Sequence, residues 1–296
     1  MSATPLRIAT RASALARWQA GHVAGLLGRP TELVLVQTTA DVRLDVPIWE
    51  MGGKGVFVTE VQAAVLDGRA DLAVHSGKDL PSTPTEGLTI AAVPERGDPR
   101  DALVGGRLAD LRPGALVATG SVRRRAQLAD LRPDLTFAGL RGNMATRLAK
   151  AGDFDAIVVA AAALDRLGLS DHIAEMLAID VMLPQVAQGA LVVECRADDM
   201  ATLAAVAGIQ HGPTRRAVDA ERGFLATLGG DCDLPAGAHA TVATDGAIRL
   251  DALLATPDGR IVLRHREHTA PDAAAPLAGE RAARFLLAAG GRALLE

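Results

Sequence analysis

A cysteine between two aspartates, a Lys-Asp pair in a glycine-flanked loop and a block of arginines beside hydroxyls are the residues whose types and spacing offer chemistry. Cys232 lies in GGDCDLP, residues 229–235. A thiolate nucleophile needs nearby cations or a helix N-terminus, whereas Asp231 and Asp233 disfavour the charged form. No histidine stands in a recognisable partner motif, so a resting nucleophile of the cysteine-protease kind is disfavoured. An inert buried cysteine, a redox thiol and a point of permanent covalent attachment remain open. The only other cysteine, Cys195, sits in the apolar run ALVVECR and reads as inert; the two match no CxxC or zinc spacing, and no metal site is expected.

Lys78 and Asp79 follow AVHSG at the C-terminal end of an expected parallel strand, where open α/β sheets bind their ligands. There Lys78 can hold a substrate carboxylate and Asp79 can move a proton or stabilise positive charge. Lysine is scarce: of 31 basic residues only Lys54, Lys78 and Lys150 are Lys, which marks positions where a compact charge of adjustable pKa is wanted. Lys54 lies in GGKG, a second glycine loop that lacks Walker A spacing. Arg11 and Ser13 take the end of the first strand by the same strand-end logic. His75, within AVHSG, reads as a satisfied structural histidine.

The arginine block is TGSVRRR, residues 119–125, followed by LRGNMATR, residues 140–147. Residues 119–147 hold six Arg against two Asp, a local charge of +4 in a chain of net charge -4. Ser121 is placed to cap a helix, putting residues 123–125 in its first turn, where cations oppose the helix dipole at about 0.3 to 1 kcal/mol each. An anion is expected to offset that cost. Thr119, Ser121 and an N-terminal turn already form an anion site, and Arg forks onto carboxylates or phosphates. Asn143 caps the next helix, with Arg141 at its entrance and Arg147 one turn in.

Aromatic residues make up 2% of the chain and Tyr is absent, so there is little on which bases could stack, and the modest net charge gives no reason to expect nucleic acid. No run of about 18 apolar residues lacks charge, which argues against a membrane span, and the first residues lack a signal-peptide pattern. A cytoplasmic location is the expectation. Hydrophobic residues reach 49%, enough for a core in each of two or three domains.

The elements that must position these residues alternate. Strands are expected at 6–10, 32–38 and 71–76, with helices at 12–27 and 56–66, a βαβ series with a mostly parallel sheet. After the turn-rich PERGDP at 94–99, a second series follows: strands at 116–119, 135–140 and 156–161, helices at 122–131 and 144–151. Residues 190–196 form a further strand whose sheet is not assignable from periodicity. A helix at 214–228, antiparallel strands at 240–244, 248–255 and 260–267, and a helix at 278–295 make a small α+β domain, with Pro257-Asp258-Gly259 as a hairpin turn.

RIATRASALA, GGKGVFVTE, AVHSGKDLP, ATGSVRRRAQL, LRGNMATRL, QVAQGALVVECR and GGDCDLPAG together resemble the porphobilinogen deaminase (hydroxymethylbilane synthase) family in order and spacing, over nearly the whole chain. The resemblance implies two doubly wound domains similar to type II periplasmic binding proteins, residues 1–96 with 190–208 and residues 97–189, plus a cofactor-attachment α+β domain at 212–296. It implies a dipyrromethane cofactor joined through a thioether, at Cys232 by motif position. It further implies condensation of four porphobilinogen molecules with loss of ammonia, then hydrolytic release of hydroxymethylbilane, by a monomer without membrane or nucleic-acid partners. Asp79 would protonate the leaving amine and stabilise cationic intermediates. Arg11, Ser13, Lys54, Lys78, Thr119, Ser121, Arg123, Arg124, Arg141, Arg147 and Gln188 match positions that bind cofactor or substrate carboxylates. The family commonly has Gly at Ala40, Met at Gly77, Ser at Gly120 and Gly at Asp231. The rival reading is a non-enzymatic two-lobed binding protein for an organic polycarboxylate, which needs neither Cys232 nor Asp79.

Overall fold

The chain opens with β1 (Leu6–Arg11), α1 (Ala14–Leu27), β2 (Thr31–Val36), α2 (Thr59–Leu66), β3 (Leu72–Ser76) and β4 (Leu88–Ala92). The computed structural model describes residues 4–38, 58–230 and 234–295; Ala40, Lys54, Asp231, Cys232 and Asp233 lie outside the described residues. β1 pairs in parallel with β2 and β3, which requires the crossover helices that the alternating pattern announced. Ser13 caps α1 by accepting from the Ala16 amide, and Gly28, at φ 59°, ends it.

A second sheet follows, from β5 (Asp101–Val104), β6 (Leu116–Ala118), β7 (Thr136–Ala138), β8 (Ala156–Ala160) and β9 (Ile173–Met176), with α3 (Val122–Leu131), α4 (Met144–Ala149) and α5 (Ala161–Arg166) between them. β10 (Leu191–Arg196) then returns to the first sheet, antiparallel between β3 and β4, and completes the order β2-β1-β3-β10-β4. The second sheet has the order β7-β6-β8-β5-β9, again parallel at its centre with an antiparallel return strand. α6 (Met200–Val206) packs on the first sheet; α7 (Gly212–Leu228), β11 (Ala236–Val242), β12 (Ile248–Ala255), β13 (Val262–Thr269) and α8 (Ala275–Ala288) form the C-terminal α+β region. The fold is thus two doubly wound α/β domains with a small C-terminal sheet-and-helix domain.

By contact the chain divides into two compact units, Met1–Arg96 with Ala190–Arg215, and Gly97–Gly189 with Arg216–Glu296. In the first, alternate residues of each strand feed opposite faces. Ile8, Leu72, Val74, Leu191 and Val193 meet Ala20 and Val23 of α1, while Ala9 and Ala73 meet Val61, Ala64 and Val65 of α2. Both faces are covered, so the strands read as continuous apolar runs.

In the second unit the C-terminal sheet is joined to the second doubly wound domain through its backbone. The Ala238 amide donates to the Pro184 carbonyl at 3.1 Å, and a side chain on Gly237 would meet that same oxygen at 2.8 Å. Glu221 of α7, fully buried, accepts from the Ala187 amide at 2.6 Å and the Ala240 amide at 2.8 Å. Ala187 adopts φ 56°, a left-handed conformation rare outside glycine, which this carboxylate helps to hold.

Three strands went unread in the sequence, β4, β5 and β9. Each is short and lies among prolines, glycines or charges that break up the apolar run on either side of it. β11 starts at Ala236, four residues ahead of the expected strand, because its first half is the small-residue run AGAHA. The closing helix runs Ala275–Ala288 and is followed, after Gly290 at φ 107°, by a separate short turn at Gly291–Leu294.

Candidate active site

In the first unit β1 and β3 end side by side and deliver two turns to one pocket. It is lined by Arg11, Ser13, Leu15, Ala16, Gln19, Val58, Val74, His75, Ser76 and Asp79. β3 runs into a short 3-10 turn, Gly77–Asp79, so the strand-end position of Asp79 follows from where the apolar run stops. Asp79 is half-buried, and among the described residues its carboxylate takes no hydrogen bond. The wall beside it is tied down: the Gln19 amide donates to Ser76 Oγ at 2.7 Å, and Thr10 Oγ1 donates to the Ala16 carbonyl at 3.1 Å. Ser13 spends its oxygen on the α1 cap and keeps its hydroxyl proton for another acceptor. Lys78 shares the turn with Asp79, half-buried and already engaged by another group. A pocket with one carboxylate, one guanidinium and two hydroxyls suits a small zwitterionic or cationic ligand that also carries acid groups.

The second unit gathers Thr119, Ser121, Arg141, Asn143 and Arg147 on two adjoining turns. The Thr119 amide donates to the Ala138 carbonyl, and Thr119 Oγ1 accepts from the Ser121 amide at 3.2 Å. Ser121 caps α3 through the Arg124 amide at 3.4 Å, and Asn143 caps α4 through the Thr146 amide at 3.0 Å. The turns touch: a Cβ on Gly120 would lie 2.6 Å from the Leu140 carbonyl oxygen, so the Ser that the family commonly has here would need the two turns to stand slightly further apart. Arg147 donates from Nε to the Gly142 carbonyl at 2.8 Å, holding the entrance of α4 from one turn in. Arg141 and Arg147 are partly buried, and both have further partners.

Arg123 and Arg124 point the other way. Arg123 Nη2 reaches Asp101 Oδ2 at 2.7 Å, and Arg124 reaches Asp101 Oδ1 through Nε at 3.0 Å and Nη2 at 2.7 Å. Gln188 donates to the same oxygen at 2.8 Å and accepts from Arg124 at 3.5 Å. The anion expected to offset these first-turn cations is therefore the protein's own Asp101, fully buried on β5. Burial alone pushes the Asp101 carboxyl up, but the charges of Arg123 and Arg124 together outweigh it and hold the group well below the usual carboxylate range. Burial lowers the pKa of Arg123. Two guanidiniums against one carboxylate leave the cluster one positive charge in excess, and Arg123 Nε is buried without a hydrogen-bond partner. Arg125, exposed, lies over the Phe137 ring at 6.0 Å.

Sequence reasoning missed Asp101 and Glu194. Asp101 opens a four-residue strand with nothing to mark it. Glu194 did leave a signal, the single carboxylate inside the apolar run LVVECR, and it is buried beside His75. Cys195, next along, is fully buried, and burial, with Asp199 adding, pushes its thiol up to about 11; it stays protonated and inert at neutral pH. Among the described residues no group of three His, Cys, Asp or Glu is arranged to hold a metal, and no helix is long and apolar enough to cross a membrane.

Residues 6–204 match the family described as "Porphobilinogen deaminase, dipyromethane cofactor binding domain", and residues 216–288 match "Porphobilinogen deaminase, C-terminal domain". The chain belongs to the porphobilinogen deaminase family. A porphobilinogen deaminase from Acidothermus cellulolyticus is 48% identical over 98% of this chain and 91% of its own. One from Nitratidesulfovibrio vulgaris is 47% identical over 91% and 89%, and one from Trichlorobacter lovleyi 44% identical over 100% and 97%. Among solved structures, a Salmonella typhimurium periplasmic binding protein described as highly specific for arginine matches at 15% identity and a TM-score of 0.39, covering 70% of this chain and 92% of that one. The donor set fits the family's cofactor: a dipyrromethane presents pyrrole N–H groups, which a carboxylate without a hydrogen bond can accept, and carboxylates, which guanidiniums and hydroxyls can bind.

Proposed function

We propose that this chain is a transferase of tetrapyrrole biosynthesis that condenses four porphobilinogen molecules, with loss of ammonia, and releases hydroxymethylbilane by hydrolysis. Dipyrromethane, when bound, supplies the covalent primer that the first pyrrole extends, and Cys232 is the residue to which we assign its thioether. The aspartates flanking Cys232 suit a thiol alkylated once and then kept that way. The observation that carries the reading is the half-buried Asp79 carboxylate, without a hydrogen bond among the described residues, in a pocket with Arg11 and Ser13.

Asp79, ionised, then accepts hydrogen bonds from pyrrole or ammonium N–H groups and stabilises the positive charge that develops as the carbon–nitrogen bond breaks and ammonia leaves; an amine that arrives uncharged takes its proton from the acid form of the same group. Arg11, Ser13, Lys54 and Lys78 hold acetate and propionate groups on the Asp79 side, and Thr119, Ser121, Arg141 and Arg147 hold them in the other unit. Arg123, Arg124 and Gln188 contribute through their buried clamp on Asp101, which fixes the start of α3 and adds a net positive field to the turn above it. Growing chains gain two carboxylates per pyrrole, so several cationic subsites are needed. The protein works as a monomer in the cytoplasm, with no nucleic-acid or membrane partner; the low aromatic content and small net charge support that part.

Intact mass of the purified protein tests this directly. A mass above the bare sequence by one dipyrrole, lost in Cys232→Ser together with product formation, is expected. A bare mass in an active preparation would exclude the covalent primer. An anion-binding protein that retains its ligand affinity in Cys232→Ser and Asp79→Asn would establish the rival reading.

A further inference from the structure

His75 is sealed, its side chain only 3% exposed, yet it is among the residues that line the same pocket as Asp79. Register explains the placement: on the α2 face of the first sheet, His75 of β3 lies diagonal to Glu194 of β10. His75 Nε2 is 3.2 Å from Glu194 Oε2, close enough for strong electrostatic contact but off the axis of a hydrogen bond, so Nε2 has no hydrogen-bond partner. The carboxylate is anchored from behind. Gln62 of α2 donates to Glu194 Oε2 at 2.8 Å and accepts from Thr85 Oγ1 at 3.0 Å.

We propose that His75, oriented by Glu194, binds the aminomethyl group of the incoming porphobilinogen and so presents its carbon–nitrogen bond to Asp79. A neutral imidazole donates from one nitrogen and accepts at the other, and the negative charge of a carboxylate 3.2 Å from Nε2 favours the proton on that side even without an aligned hydrogen bond. With Nε2 against Glu194, Nδ1 is the nitrogen left to accept from a ligand in the pocket that His75 helps to line, and a carboxylate behind an imidazole makes the far nitrogen the stronger acceptor. The aminomethyl group is an ammonium at neutral pH, a cationic donor that suits this acceptor. Among the described residues, Arg11 at the end of β1 and Asp79 on the turn after β3 line the pocket with His75, Glu194 of β10 stands at Nε2, and α1 and α2 contribute the uncharged Gln19 and Gln62, with Glu60 also on α2. The proposal rests on Asp79's pocket being where porphobilinogen reacts.

Asn and Gln separate the ring's two jobs, because the Asn amide overlays Nδ1 and the Gln amide overlays Nε2. In the holoenzyme His75→Asn keeps KM for porphobilinogen within about threefold, whereas His75→Gln, which still faces Glu194 but loses the pocket acceptor, raises KM about tenfold. The reverse order, or two variants indistinguishable from wild type, overturns the proposal and leaves His75 as a filler for Glu194. An analogue with methyl in place of aminomethyl inhibits wild type and His75→Gln equally; weaker inhibition of the Gln variant also overturns it. Should either variant fail to fold, nitrogen-15 spectra of the wild-type holoenzyme decide: His75 is protonated on Nε2, and a proton on Nδ1 refutes the assignment. Asp79→Asn is assayed in parallel. If it turns over normally the pocket itself is misassigned and both readings fall; if it is inactive while the Asn/Gln order is reversed, only the role of His75 falls.

Discussion

Asp79 and Asp101 are both aspartates at the end of a strand, and their neighbours set them in opposite surroundings. Asp79 is half-buried in a pocket and carries no hydrogen bond among the described residues; Asp101 is fully buried and bonded to Arg123, Arg124 and Gln188. Asp79→Asn is therefore expected to fold, keep its dipyrrole by intact mass and lose turnover by about 10²- to 10⁴-fold, the usual yield of a positioned proton donor. Turnover within a few-fold of wild type would remove Asp79 from the chemistry. Asp101→Asn leaves two buried guanidiniums uncompensated, so it lowers the unfolding free energy by about 3–5 kcal/mol in urea titration. The place of Asp79 in a strand-end turn was legible because a rare lysine and the end of an apolar run marked its loop. Asp101 was not, because a carboxylate becomes a partner for distant arginines only once β5 and α3 are packed together.

At the scale of elements, the two turns proposed to bind substrate carboxylates depend on how closely they approach. Gly120 faces the Leu140 carbonyl where a Cβ would stand at 2.6 Å, and Ser121 and Asn143 cap the helices that leave from either side. Gly120→Ala must push the turns apart, costing about 1–3 kcal/mol of stability as overpacking does, and it misplaces Arg141 relative to Thr119. Thermal unfolding and KM for porphobilinogen read the two effects; an Ala variant with both unchanged would show that the spacing does not matter. The caps and α3 were readable from Ser, Asn and the helical spacing, α3 with its bounds intact. The close approach was not, since a glycine at a contact between two loops looks like any glycine in a turn. β4, β5 and β9 escaped for a related reason: strands of four or five residues are specified by their neighbours in the sheet more than by their own pattern.

For the molecule as a whole, alternation of apolar strands and helices announced two βαβ series with mostly parallel pairing, and the family resemblance implied two doubly wound domains, but neither said that β10 would lie antiparallel between β3 and β4. That pairing joins residues more than a hundred positions apart, and only the folded sheet decides it. Long-range pairing also sets how the protein responds to acid. Asp101 has its carboxyl pKa depressed in the folded state, so its stabilisation is fully present above the ordinary aspartate value of about 3.9 and is lost progressively as pH falls below it. Asp98 in the same unit, and Asp71 and Asp199 in the other, shift in the same direction, each through an arginine or backbone hydrogen bond working against burial. Stability of the wild type should therefore hold between pH 7 and pH 5 and fall below pH ~4. Asp101→Asn lacks the largest of these groups. Its deficit against wild type, greatest at neutral pH, should shrink by about 1 kcal/mol between pH 5 and pH 3 as the unfolded wild-type chain takes up the proton that the folded state refuses. Urea midpoints for both proteins across that range measure the gap, and a gap that stays constant to pH 3 would mean that Asp101 is not ionised between its two arginines.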